Sequence, residues 1–282
     1  MICADCPRGC AVDREKGERG FCGGGYYASV AKIVDPFTYE EPCLGNVTAV
    51  FFGGCSLKCS YCQNIDISGN VAGCKEYGDA ELARSLSDAS GGIDLVTPTH
   101  CLSAIERAVA LCKRPLRIIY NTSGYETSDA VRRARQFSNV FLTDFKYADN
   151  GLAAEFSGVT DYFARASEAV LRMRETKDEW SVENGHSVMT RGLIVRHLVL
   201  PGCVENSKAV LDFIAHSLGT GTVISLMSQF TPNGVGAPYG KLKKIEYKIV
   251  CEHALKLGFR NGYFQGFDSA NGSFTPDFAI ED

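Results

Sequence analysis

Cys55-Ser56-Leu57-Lys58-Cys59-Ser60-Tyr61-Cys62 is the stretch around which the rest of the chain is arranged. It places three thiols within eight residues, with the spacing C-x3-C-x2-C, shortly after the apolar run 47–52. Complete ligation of a four-iron cluster by protein takes four cysteines, so three cysteines leave one iron without a protein ligand. The spacing therefore predicts an iron–sulfur cluster with one iron that can bind another molecule.

The chain beyond residue 46 alternates short apolar segments with helical patterns. Six segments rich in β-branched residues predict buried parallel strands: 47–52, 93–97, 116–121, 140–143, 193–200 and 223–227. Apolar periodicity predicts helices over 79–89, 101–113, 127–136, 161–174, 207–217 and 242–257. The segment 262–267 is a candidate for a short final strand, and 175–191 is expected to be the longest loop. This alternation is typical of a parallel α/β architecture, two units short of an eight-stranded barrel.

The first 25 residues carry four further cysteines and little apolar periodicity. Cys3, Cys6 and Cys10 crowd the first limb, and Cys22 stands alone on the second, beside glycines that suit tight turns. Four cysteines can close a zinc site, although structural zinc commonly uses paired knuckles, and an auxiliary iron–sulfur cluster also fits. Free thiols in an unstructured leader are the third alternative. We expect residues 1–46 to form a small metal-binding lobe and its connector, and residues 47–282 to form the main domain.

Length, charge and cysteine count narrow the class of protein. A chain of 282 residues suits one large domain with a small appendage. The net charge of −4, without a basic block, gives no electrostatic support for a nucleic-acid partner, and no apolar run approaches the roughly 18 residues of a membrane span. Thirteen cysteines, an odd number, with no pattern of a signal peptide, favour a reducing compartment. We expect a cytoplasmic monomer.

Polar residues follow the predicted strands as well as the three-cysteine loop. Ligands of parallel α/β proteins bind at the carboxyl ends of the strands, so a functional site at the loop requires polar neighbours there. Such residues occur after or near the end of the five later strands: Thr97-Pro98-Thr99-His100, Asn121-Thr122-Ser123, Asp144-Phe145-Lys146, Arg196-His197 and Ser228-Gln229. Each group alone is typical of a turn or a surface pair, whereas the whole set on one face favours a functional site.

These motifs, in their order along the chain, resemble those of radical S-adenosylmethionine (SAM) enzymes related to pyruvate formate-lyase activating enzyme. The resemblance covers the three-cysteine loop with its aromatic residue, the cysteine leader, and the segments 95–100, 120–125, 144–147 and 196–202. It implies a partial (β/α)6 TIM-type barrel, a [4Fe–4S] cluster, SAM, and an electron donor of the flavodoxin or ferredoxin type. It also implies reductive cleavage of SAM to a 5′-deoxyadenosyl radical that abstracts a hydrogen atom from a substrate. A protein glycine, a peptide and a small molecule remain open as substrates.

Applied residue by residue, the resemblance implies that Cys55, Cys59 and Cys62 ligate the cluster and that Tyr61 lies near the adenine of SAM. The open iron would bind the amino and carboxylate groups of SAM. The other implied cofactor contacts are polar residues at the ends of later strands: Asn121 and Ser123 to the ribose, Asp144 and Lys146 as an Asp-x-Lys element, and Arg196 to the SAM carboxylate or the substrate.

One segment departs from the pattern of the activating enzymes. Thr97, Thr99 and His100 occupy the position where those enzymes usually carry a Gly-Gly-Glu run that binds the amino group of SAM. They are the candidate contacts at this position, but no carboxylate stands there.

Two other classes of protein compete with this interpretation. A non-catalytic iron–sulfur electron carrier should supply a fourth cluster ligand, and no cysteine follows Cys62 until Cys74. A purely structural zinc protein would contain zinc and no iron.

Overall fold

The computed structural model describes residues 2–39, 41–230, 240–267 and 278. The strands in these ranges are β1 Ala28–Phe37, β2 Val47–Phe52, β3 Lys75–Tyr77, β4 Gly92–Val96, β5 Ile118–Thr122, β6 Val140–Asp144, β7 Glu179–Glu183, β8 His186–Leu198, β9 Val223–Met227 and β10 Gly262–Phe264. The α-helices are α1 Ile65–Ser68, α2 Asp79–Asp88, α3 Leu102–Ala110, α4 Ser128–Ala134, α5 Asn150–Ser157, α6 Tyr162–Arg174, α7 Val204–Ser217 and α8 Lys244–Leu257.

One sheet organises the fold, in the order β10-β9-β8-β6-β5-β4-β2-β1-β3. Every neighbouring pair from β2 to β10 along this order is parallel, whereas β1 and β3 add an antiparallel edge. The sheet does not close on itself. The predicted α/β fold with a partial barrel is thus confirmed, together with all six predicted strands and the short final strand.

The central strands are buried along their whole length because helices cover the sheet. Every residue of β2, β4, β5 and β9 is buried, which is the usual state of strands in a covered parallel sheet. The main core joins these strands to the helices that follow them, through residues such as Val131, Val170, Leu211 and Val250. This packing fixes the positions of the strand ends, where the candidate site lies.

Three segments differ from the prediction. The connector forms β1, which pairs antiparallel with β2, so the sheet continues across residue 46; the domain division there stays a prediction. The prediction of a loop over 175–191 is wrong, because β7 and the start of β8 form a hairpin around Asn184 and Gly185, both at positive φ. Helix α5 was not predicted. None of the helices in the described ranges is both long and apolar enough to cross a bilayer.

Candidate active site

A cleft of about 1100 Å3, part of it open to solvent, lies at the carboxyl ends of the parallel strands. Ten of the residues singled out from the sequence line it: Cys55, Cys59, Tyr61, Cys62, Thr97, Asn121, Ser123, Asp144, Lys146 and Arg196. The apolar part of the wall includes Phe37, Phe51, Leu198 and Met227. The fold therefore brings side chains from seven strands, from the residues that follow them and from the three-cysteine loop to a common space.

The three-cysteine loop is held by the carboxyl end of α5. The amides of Lys58 and Ser60 donate hydrogen bonds to the carbonyls of Ser157 (3.2 Å) and Phe156 (2.8 Å). Because the last carbonyls of a helix have no partner within the helix, they are available for such contacts. The unpredicted helix is therefore what fixes the loop in position.

Two thiols of this loop, those of Cys55 and Cys59, are protonated in the absence of metal. Burial raises the pKa of Cys55 well above its usual value and that of Cys59 to about 11, although the charge of Lys146 acts to lower the latter. The amide of Leu57 donates to the Sγ of Cys55 over 3.4 Å. Soft sulfur ligands select iron–sulfur clusters among other soft metal sites, and binding releases their protons. The donor set thus fits an iron–sulfur cluster.

A chain of hydroxyl groups leads away from Cys59. Its Sγ lies 3.0 Å from the Oγ of Ser157, which lies 2.7 Å from the Tyr147 hydroxyl, which in turn lies 2.7 Å from the Tyr61 hydroxyl. The hydroxyl of Tyr61 therefore already has a hydrogen-bond partner within the protein. Tyr147 belongs to the segment 144–147 that the sequence motifs included, whereas Ser157 was not singled out from the sequence.

Charged residues of both signs form the opposite wall. Asp144 accepts hydrogen bonds from Lys146 Nζ (2.6 Å) and Arg196 Nε (3.0 Å), and Arg196 Nη2 donates to Asn121 Oδ1 over 2.6 Å. Burial acts to raise the pKa of Asp144, but the two cations outweigh it and hold the pKa below its usual value. Burial would lower the pKa of Lys146, whereas the charge of Asp144 raises it. All three groups are thus ionised and oriented by one another.

A further carboxyl group is hydrogen-bonded to Asn121 of this wall. Asp94, in the middle of β4, is buried and accepts a hydrogen bond from Asn121 Nδ2 over 3.0 Å. Burial raises the pKa of Asp94 to about 6, although hydrogen bonds from Tyr39 and Asn121 act to lower it. The sequence analysis missed Asp94, although an aspartate between Ile93 and Leu95 in an apolar strand is a detectable signal.

Comparison with solved structures identifies the fold. A radical SAM methyltransferase from Sphaerobacter thermophilus matches with a TM-score of 0.52 and 16% sequence identity, over 79% of this chain and 68% of that one. The fold is that of radical SAM enzymes. The ends of its strands carry the three-cysteine loop and the polar wall.

Sequence comparison finds one relative that matches most of the chain and one that matches about a third of it. No protein-family model matches the chain. An uncharacterized protein of Methanocaldococcus jannaschii is 27% identical over 270 residues, which is 90% of this chain and 73% of that protein. Pyruvate formate-lyase-activating enzyme of Clostridium pasteurianum is 31% identical over 117 residues, or 36% of this chain and 47% of the enzyme. The chain therefore matches about half the length of that enzyme.

The radical SAM fold places the segment after β4 in two environments. Thr97 lines the cleft and has a φ of 59°, which is rare for a β-branched residue. The chain then turns into a 3-10 helix over Thr99–Cys101, and Thr99 and His100 are buried away from the cleft lining. Thr99 donates to Glu126, and His100 Nε2 lies 2.7 Å from the Gly53 carbonyl. We therefore leave both out of the proposed SAM contacts.

Three cysteines line the cleft. Among the described residues that line it, no further cysteine and no histidine occurs. Cys74, the next cysteine in the sequence, is not part of this lining and packs against Gly53, where its Sγ lies 2.2 Å from the position that a Cβ would take. The geometry therefore gives no support to an electron carrier with a fourth ligand from Cys74.

The four leader cysteines surround a second, smaller cavity. It measures about 270 Å3 and is lined by Cys3, Cys6, Cys10 and Cys22, with Arg8 and Arg14 among the other residues. All thirteen cysteines of the chain lie in the described ranges, and all are free of disulfides. The structure thus brings together the four cysteines that the sequence grouped.

Proposed function

We propose that this protein is a radical SAM enzyme that holds a [4Fe–4S] cluster on Cys55, Cys59 and Cys62 and binds SAM in the adjoining cleft. One observation carries the proposal: three cysteines on one loop line a large cleft that has no fourth cysteine and no histidine in its described lining. When bound, the cluster and SAM supply a 5′-deoxyadenosyl radical, which abstracts a hydrogen atom from the substrate.

The wall of the cleft suits the methionine part of SAM. That part carries an amino group and a carboxylate, and the wall offers Asp144 to the first and Lys146 or Arg196 to the second. Because the three side chains already hold one another, they bind SAM without losing much rotational freedom. Thr97 lies beside this wall as a candidate contact to the amino group.

The ribose of SAM would lie between Asn121 and Ser123. The Oγ of Ser123 is buried and has no hydrogen-bond partner within the described residues, although it lines the cleft. A buried hydroxyl without a partner costs about 1–3 kcal/mol, and a ribose hydroxyl would remove that cost. The hydroxyl of Tyr61 is hydrogen-bonded to that of Tyr147, so Tyr61 presents its ring or backbone to the adenine.

The cleft is open to solvent on one side, so a substrate could reach a SAM molecule bound in it. The apolar wall around Phe51, Leu198 and Met227 excludes water from the reacting atoms. A protein glycine, a peptide or a small molecule is the proposed substrate class, and a flavodoxin- or ferredoxin-type protein the proposed electron donor.

The formation of 5′-deoxyadenosine tests this function. Reconstituted protein incubated anaerobically with SAM and dithionite should form it, and Cys59→Ala should fall to the background without protein. Cys112→Ala is the matched control, because Cys112 lies beside α3 in a separate part of the core; its rate should stay within about twofold of the wild-type rate. Wild-type protein that binds iron at the three-cysteine loop and forms no 5′-deoxyadenosine would disprove the proposal.

A further inference from the structure

The four leader cysteines form a built site rather than a group of separate thiols. Their first three members have the spacing C-x2-C-x3-C, and Cys22 joins them from the second limb to bound the same cavity. Cys6 is 9% exposed, and burial raises its pKa to about 12. A packed cavity of cysteines is the arrangement that a bound metal centre stabilises.

Hydrogen-bond donors converge on the sulfur atoms of this site. The amides of Phe21 and Gly24 donate to Cys10 Sγ and Cys22 Sγ, each over 3.3 Å. Arg14 Nη2 lies 3.7 Å from Cys22 Sγ, and Asp5 holds the buried Arg14 side chain through a contact of 3.1 Å. Donors placed around the sulfurs in this way are typical of the outer contacts that orient the ligands of a metal centre.

The surroundings of the site favour a cluster over a single zinc ion. Four cysteines can ligate one zinc ion, or they can complete the ligation of a four-iron cluster. Zinc has no redox chemistry, whereas an iron–sulfur cluster can exchange electrons with a second cluster on the adjacent three-cysteine loop.

The leader site packs directly against the three-cysteine loop. A Cβ on Gly54 would lie 2.2 Å from the carbonyl oxygen of Cys22, so the two backbones are in contact at a glycine whose φ is 87°. The residue after Gly54 is Cys55. Arg8, between two leader cysteines, donates from Nε to the carbonyl of Ser56 over 2.8 Å. The two sites are thus joined by the contact between Cys22 and Gly54 and by the peptide bond from Gly54 to Cys55.

We propose that Cys3, Cys6, Cys10 and Cys22 hold a second [4Fe–4S] cluster that passes electrons to the cluster on the three-cysteine loop. The inference rests on the proposed function. Cys3, Cys6, Cys10 and Cys22 would hold a group that accepts one electron from a flavodoxin- or ferredoxin-type donor. The contact between Cys22 and Gly54 would give that electron a path to the group held by Cys55, Cys59 and Cys62, where each SAM cleaved would consume one electron, so that the leader group would return to its oxidised state.

The test uses the full-length reconstituted protein and begins with its iron content and its electron paramagnetic resonance (EPR) spectrum. Wild type should contain about eight irons per chain, as expected for two four-iron clusters. After reduction it should show two signals, of which SAM shifts one. In Cys22→Ala the iron content should fall to about four, and the signal that SAM shifts should remain. Four irons in the wild type together with one zinc would overturn the inference in favour of a structural zinc site.

The relay itself is tested by the choice of reductant. Dithionite is small enough to enter the cleft, whereas flavodoxin must deliver its electron at the protein surface. In Cys22→Ala the ratio of the flavodoxin-driven rate to the dithionite-driven rate should fall at least tenfold, and an unchanged ratio would overturn the relay. Wild type that cleaves no SAM with either reductant would contradict the proposed function, while its iron content and EPR spectrum would still decide whether the second cluster exists.

A measurement on the wild type removes the dependence on a variant that folds. Reduced flavodoxin is mixed with the oxidised protein, and samples are frozen at successive times. The signal that SAM does not shift should rise first and the signal that SAM shifts should follow. The reverse order would overturn the relay.

Discussion

Two groups of cysteines in this protein have mirrored spacing and different surroundings. The leader reads C-x2-C-x3-C and gains a fourth member, Cys22, whereas the loop reads C-x3-C-x2-C and gains none. The leader surrounds about 270 Å3, and the loop opens onto about 1100 Å3 of cleft with charged walls. The difference teaches that the number of protein ligands and the size of the adjacent cavity are related. A cluster with four cysteine ligands needs no room for another molecule. A cluster with three cysteine ligands that binds a substrate needs both a free iron and a cavity beside it.

The largest expected effect comes from removing a ligand on the open side. In Cys62→Ala, formation of 5′-deoxyadenosine should be lost, because the cluster that binds SAM lacks an anchor. The leader cluster should survive, with about four irons per chain and an EPR signal that does not respond to SAM. Loss of all iron in this variant would show that the two groups do not act as separate centres.

The contact between the two groups can be broken at a glycine. Gly54→Ala places a Cβ against the Cys22 carbonyl, whereas Gly219→Ala, at a similar φ of 85°, meets nothing within 4 Å. A left-handed backbone costs about 1–2 kcal/mol for either alanine, and overpacking adds about 1–3 kcal/mol at Gly54. Denaturant unfolding under anaerobic conditions should show this difference. Equal losses of stability would mean that the contact is not tight.

The charged wall is specific to the open side. Lys146→Met removes one of the two cationic partners of the half-buried Asp144 and a cation of the cleft wall, so the Kd for SAM should rise by roughly tenfold or more. Lys208→Met is the control, because Lys208 pairs with the exposed Glu205, and surface pairs contribute about 0–1 kcal/mol. Titration with SAM measures both variants, and unaltered binding in Lys146→Met would remove the wall from the SAM site.

The smallest expected effect comes from the hydroxyl next to Cys59. Ser157→Ala removes one hydrogen bond to that sulfur, which is worth about 0.5–1.5 kcal/mol or roughly a 2- to 10-fold change in the rate of SAM cleavage. The midpoint potential of the SAM-sensitive signal should shift, and that of the other signal should not. Ser87→Ala, which removes a hydroxyl bonded to a carbonyl of α2, should shift neither. A shift of both potentials would show that Ser157 acts through the whole fold.

The strands were predictable because each is short, mainly apolar and rich in β-branched residues; β2 and β9 have the predicted bounds. Four of the ten cleft residues belong to the three-cysteine motif, and the other six follow the rule that parallel strands bring their carboxyl ends together. The turn at Thr97 escaped prediction, because a positive φ in a threonine has no sequence signal, and it explains why Thr99 and His100 miss the cleft. The roles of Asp94 and Ser157 depend on contacts across strands and helices. By contrast, the hairpin at Asn184-Gly185 had a sequence signal that was not used.

The most direct test concerns the iron without a protein ligand. Reduced protein is mixed with SAM that is isotopically labelled at its amino nitrogen and carboxylate oxygen, and electron–nuclear double resonance is recorded on the SAM-sensitive signal. The account predicts hyperfine coupling from both labels, because both groups bind the open iron, and no coupling on the signal of the leader cluster. A reduced sample with an intact three-cysteine cluster and no coupling from either label would contradict the account.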